Sequence, residues 1–128
     1  MNGLPAAQRI LLYSALLVLL ATGVAWEALS PGPWAAWLMK IHGGAVMFTL
    51  VFAGTLIAHH IPAGWTSLKN RRSGVLLLAA LGWLAASGYL LYYSGSESLR
   101  FFASQSHLWT GLAASVVVAL HLRRSAIT

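Results

Sequence analysis

Four stretches of the chain run almost free of charge: about 10–29, 38–60, 74–93 and 101–122. A helix needs about 20 predominantly apolar residues to cross a bilayer core, so each stretch predicts one spanning helix. The breaks between them carry the residues that stop helices. WEALSPGPW follows the first stretch, IPAGWTSLKNRRSG the second, and SGSES the third. Pro and Gly punctuate the first two breaks, and Pro62 and Gly64 predict the end of the second helix near His60. Short breaks join antiparallel neighbours, so the expected fold is all-α: an integral membrane four-helix bundle running up-down-up-down in a single domain, 1–128.

Polar positions inside these stretches are few, and the histidines stand out among them. All five, His42, His59, His60, His107 and His121, fall on the second and fourth helices. His107 and His121 lie 14 positions apart, which on a helix is ~21 Å along the axis and within ~40° around it. His42 and His60 lie 18 positions apart, five full turns and so the same face, while His59 points ~100° away. The second and fourth helices of an up-down-up-down bundle are parallel. His42 therefore pairs with His107 at one depth and His60 with His121 at the other, with His59 as the alternative inner partner. The two spacings differ by about one turn, ~27 Å against ~21 Å. Tilt, rotamers or a distortion near the glycines of the second helix has to take up that difference.

Composition agrees with a membrane chain: 59% hydrophobic and only 8% charged, where soluble domains carry about 25% charged residues. The net charge of +6 has a topological pattern, which argues against nucleic acid as a partner. Arg9, Lys69, Arg71, Arg72, Arg123 and Arg124 flank one side of the expected bundle; Lys40 and Arg100 flank the other, with the two acids Glu27 and Glu97. Basic residues concentrate on the cytoplasmic side, so both termini are expected there, in a multi-pass membrane protein. The first stretch behind Arg9 imitates a signal peptide but is longer than a signal core, and is read as a retained helix. The absence of cysteine excludes disulfides, thiolate-held clusters and covalent haem attachment within the chain.

Buried ionisable groups in a membrane mark a pathway or a cofactor more often than they mark packing. A lone histidine at a helix end is ordinarily interfacial; four at two depths on two parallel helices suit bis-histidine ligation of two b-type haems. The far nitrogen of each ligand then needs an acceptor, a backbone carbonyl one turn back or a nearby hydroxyl. Gly43, Gly44, Gly54, Gly111, Ala113 and Ala114 offer space for a macrocycle, and Lys40, Arg100, Arg123 and Arg124 offer charge for propionates. Tyr13, Ser14 and Thr22 on the first helix read as interhelical hydrogen-bonding groups. Gly82, Ala86 and Gly88 mark the third helix as close-packing. Tyr89, Tyr92 and Tyr93 read as an aromatic belt. Zinc is a poor fit, since its ligands must converge in one shell. With two glutamates as the only acids, no hydrolytic set is visible.

At these residues the chain resembles small bacterial di-haem transmembrane cytochromes b, similar to the b-type membrane subunits of respiratory hydrogenases and formate dehydrogenases. The resemblance rests on the His107–His121 spacing, on SGYLLYYSGSESLRFFASQSHLWTGL and on HIPAGW, and covers the second to fourth helices. It departs on the first helix, from which some relatives take a ligand and which here has no histidine. It implies transmembrane electron transfer between quinone and a periplasmic cytochrome c or redox enzyme subunit, as part of a homo- or hetero-oligomer embedded in lipid. The chain then acts as an electron-transfer subunit more than as a complete enzyme. Two other classes remain open: a haem-free membrane scaffold or assembly subunit, and an oxidoreductase reacting with quinone or superoxide at a haem edge.

Overall fold

In a computed structural model, residues 5–67 and 71–127 are described, the side chains of His59, Ser67 and residues 124–127 excepted. Within them the chain forms four helices: α1 (Ala6–Leu29), α2 (Ala35–Ser67), α3 (Arg71–Tyr93) and α4 (Glu97–Ile127). Among the described residues three helices are long and apolar enough to cross a membrane. They are α1, Ala35–Ala58 of α2, and α3, with mean hydropathies of 1.9, 1.8 and 1.9. The surface is that of a membrane protein. Leu17, Met47, Val51 and Phe101 are each about two-thirds exposed, whereas the buried side chains include the hydroxyls of Thr22, Thr49 and Ser87. A water-soluble chain shows the opposite distribution, because there apolar area is what burial removes from solvent.

The helix ends follow from local chemistry. Pro5, with its fixed φ, precedes α1, and its carbonyl accepts the first helical bond, from Arg9 N–H at 3.1 Å. Ser30 ends α1 in an extended conformation, φ −93° and ψ 140°, as expected of a residue before proline. Its N–H still closes on Trp26 O at 2.9 Å. The chain then turns at 31–34 and enters α2 earlier than the apolar pattern alone indicates, Ala35 N–H bonding Gly32 O at 3.1 Å. Lys40 therefore sits inside the helix, its Nζ 4.9 Å from the Trp37 ring centroid. α4 likewise starts at Glu97, four residues before its apolar run. Ser96 caps it, with Oγ accepting from Leu99 N–H at 3.4 Å, and Glu97 places a negative charge in the first turn.

The expected stop of the second helix at Pro62 is not observed: α2 continues through Pro62 and Gly64 to Ser67. Proline forfeits one backbone N–H, but the next turn re-forms around it, and Thr66 Oγ1 donates to the carbonyls of Pro62 and Ala63 at 3.1 Å each. The apolar part nevertheless ends at Ala58, so the helix outlasts its membrane-length segment. α3 begins at Arg71, three residues ahead of its expected start, and α4 runs on to Ile127. α4 is long enough to span but falls below the hydropathy of the other three, owing to Ser104, Gln105, Ser106, His107 and His121.

The chain divides into two compact units, Met1–Thr66 and Ser67–Thr128. The first is a helical hairpin of α1 and α2. The second is a hairpin of α3 and α4, turned by Ser94–Ser96, with Ser96 N–H on Ser94 Oγ at 3.2 Å. Trp83 meets Phe102 edge-on at 6.1 Å. Gly111 of α4 lies against Leu84 of α3, where a Cβ would sit at an ordinary contact distance of 3.8 Å from Leu84 Cδ2.

Candidate functional site

Three of the candidate histidines are held by a hydroxyl of the neighbouring helix in their own unit, always through the same ring nitrogen. In the first unit His42 Nδ1 lies 2.8 Å from Thr22 Oγ1. In the second, His107 Nδ1 lies 2.9 Å from Ser87 Oγ and His121 Nδ1 lies 2.8 Å from Ser73 Oγ. The rings are half-buried, while Ser87 is fully buried and Thr22 is 8% exposed.

The proton positions follow from counting. A hydroxyl has one proton to donate and two lone pairs with which to accept. Thr22 Oγ1 gives its proton to Val18 O at 2.6 Å, with Leu19 O at 3.2 Å. Ser87 Oγ gives its proton to Trp83 O at 2.7 Å, with Leu84 O at 3.3 Å. Each hydroxyl can then meet a ring nitrogen only as acceptor, so His42 and His107 carry their proton on Nδ1. Nε2 is left with a lone pair, the form in which imidazole ligates a metal. His121 Nδ1 makes the same contact with Ser73 Oγ.

The second hairpin has a regular register. Ser73 and Ser87 are 14 positions apart on α3, as His121 and His107 are on α4, and antiparallel packing brings each serine to one histidine. One face of α4 therefore presents two held imidazoles ~21 Å apart along the axis. Thr22 was legible as an interhelical hydrogen-bonding group; that its partner is a histidine was not. Neither Ser73 nor Ser87 stands out in the sequence by residue type. The available signal was their spacing, which copies that of the histidines.

The other candidates are placed as follows. His60 is exposed on α2, two residues beyond the apolar segment; the His59 side chain lies outside the described residues. A Cβ on Gly43, Gly44 or Gly54 would meet nothing within 4 Å, whereas Gly111 faces Leu84. Ala113 and Ala114 line an apolar recess of about 300 Å³ between α3 and α4, with Leu77, Ala80 and Trp109. Arg100 and Arg123 are exposed, at opposite ends of α4; the Arg124 side chain lies outside the described residues, as does Lys69. Among the described residues no three His, Cys, Asp or Glu side chains converge. Comparison of the chain with protein families, with curated proteins and with solved structures finds no match.

Proposed function

We propose that the protein is a b-type cytochrome of the bacterial inner membrane that carries electrons across the bilayer through two haems. His42 and His107 hold one and His60 and His121 the other, with both termini and the second haem on the cytoplasmic side. The pairing follows from the order of four antiparallel spans, the fourth being α4. The observation that carries the reading is that three of the candidate imidazoles are each bonded through Nδ1 to a hydroxyl. An interfacial histidine needs no fixed tautomer; a haem ligand does.

Bound haem iron supplies one-electron redox chemistry at a low-spin centre. The residues of this chain do the remaining work. The imidazoles offer Nε2 lone pairs, the hydroxyls hold the rings in orientation, and the apolar helix faces exclude water. Lys40 and Arg100 at one end, and Arg123 at the other, provide positive charge for carboxylates. Quinone is the proposed membrane partner and a periplasmic cytochrome or redox enzyme subunit the proposed second one. With only short connections between its helices, the chain serves as an electron-transfer subunit.

The test is the absorption spectrum of the purified protein, oxidised and reduced, with haem counted per chain. Two b-type haems with bis-histidine bands are expected. Fully folded protein that takes up no haem would overturn the reading and leave a membrane scaffold.

A further inference from the structure

The two hairpins repeat one arrangement. Thr22 and Ser87 each stand 20 residues ahead of the histidine they meet. Each is followed by a glycine, Gly23 or Gly88, and a Cβ on either would lie 3.6 Å from Cε1 of that same histidine. Both hydroxyls also return their proton to the carbonyl four residues back. Hydroxyl at Nδ1, glycine beside Cε1, and the proton committed elsewhere thus recur together 65 positions apart. Ser73 repeats the hydroxyl contact at His121 Nδ1 one step along the second hairpin, without the glycine contact, since a Cβ on Gly74 would meet nothing within 4 Å.

Resting on the haem reading above, we infer that Thr22, Ser87 and Ser73 are positioning residues that tune the two haems: Thr22 and Ser87 act on one iron, through His42 and His107, and Ser73 acts on the other, through His121. The physical reason is the charge on the ligand. An acceptor at Nδ1–H draws that proton outward, which makes Nε2 a better donor and favours ferric over ferrous iron. Removing the acceptor raises the midpoint potential of the haem concerned. Loss of such a partner typically costs about tenfold or more in metal affinity. If that loss falls on the ferric state, a tenfold change corresponds to a rise of ~59 mV for a one-electron couple.

The hydroxyls are interchangeable by construction, since the first hairpin uses threonine where the second uses serine. Thr22→Ser, Ser87→Thr and Ser73→Thr should therefore retain the parent potentials, which separates a lost hydrogen bond from a disturbed fold.

The experiment is a redox titration of the purified full chain followed at the haem bands, with electron paramagnetic resonance of the ferric form. The variants are Thr22→Ala, Ser87→Ala and Ser73→Ala, each beside its hydroxyl-retaining counterpart. Thr22→Ala and Ser87→Ala should each raise the potential of the same haem and change the same low-spin signal, and Ser73→Ala should move the other. Loss of just that haem, restored by the hydroxyl-retaining variant, supports the inference equally. Two haems with unmoved potentials in all three alanine variants would overturn the inference and leave the haem reading standing. Thr22→Ala and Ser87→Ala moving different haems would overturn the assignment to one iron. A parent protein without haem would sink the reading on which the inference rests.

Discussion

Ser87→Ala is the sharpest probe of whether the serine–histidine contact contributes to folding. The hydroxyl is fully buried, donates to Trp83 O at 2.7 Å and accepts from His107 Nδ1 at 2.9 Å. Two effects oppose each other. Alanine is the better helix former, by roughly 0.5 kcal/mol, and its use removes a back-bond that slightly disfavours the helix. Against that, the His107 N–H loses its acceptor, which costs about 1–3 kcal/mol for a buried group. Interhelical hydrogen bonds in bilayers average about 0.6 kcal/mol and reach about 1.7 kcal/mol. The expected net loss is therefore about 1 kcal/mol. Ser115 is the internal control. It is half-buried on α4, and its hydroxyl bonds only Gly111 O at 2.9 Å, within its own helix. Ser115→Ala should be neutral to slightly stabilising. The assay is reversible unfolding in mixed micelles by increasing dodecyl sulfate, followed by helical circular dichroism and tryptophan fluorescence, since Trp83 packs on Phe102 across this hairpin. If Ser87→Ala is no less stable than Ser115→Ala, the contact does not hold the hairpin and the bond to His107 contributes nothing to its folding.

Reporter fusions should place both termini in the cytoplasm and the 94–96 connection outside; a periplasmic C terminus would overturn the assignment of the outer and inner haems. His60→Ala and His121→Ala should each empty or convert the same haem, read as haem per chain, while His59→Ala should retain both. Gly32→Ala should destabilise the first hairpin by about 1–3 kcal/mol in the same micelle assay, since a Cβ there would sit 2.6 Å from Leu29 O. Gly43→Ala, whose Cβ meets nothing within 4 Å inside α2, should be neutral to stabilising by up to about 1 kcal/mol.

The helical class and the membrane character were legible because apolar runs of bilayer length admit few other structures. Helix ends were less so. Pro62 signals a stop in a water-soluble context, but it costs α2 one hydrogen bond in a segment where Thr66 and the following carbonyls re-form the turn. Ser96 and Glu97 start α4 by capping, a signal that hydropathy does not register. The same blindness affects α4 itself. Ser104, Gln105, Ser106 and the two histidines lower its mean hydropathy, yet polar groups facing other helices do not prevent spanning. At the site, histidine spacing was readable because it is a property of one helix. The hydroxyl partners were not, because the register between α3 and α4 depends on packing between the helices, such as Trp83 against Phe102.

The arrangement of the held histidines bears on which class of function the chain serves. In a scaffold, an interhelical serine–histidine bond is adhesive, and either ring nitrogen serves equally. Three contacts run through Nδ1, two of them repeated with the same glycine neighbour. A histidine that snorkels to the surface turns its ring toward water; His107 instead bonds a fully buried serine. Adhesion alone also leaves the 14-residue repeat of His107 and His121 unexplained, since a single bond fixes the register of two helices. Two bonds at that spacing hold two imidazoles 14 residues apart on one helix. The proposed electron-transfer role requires fixed ligands at two depths, and a scaffold does not.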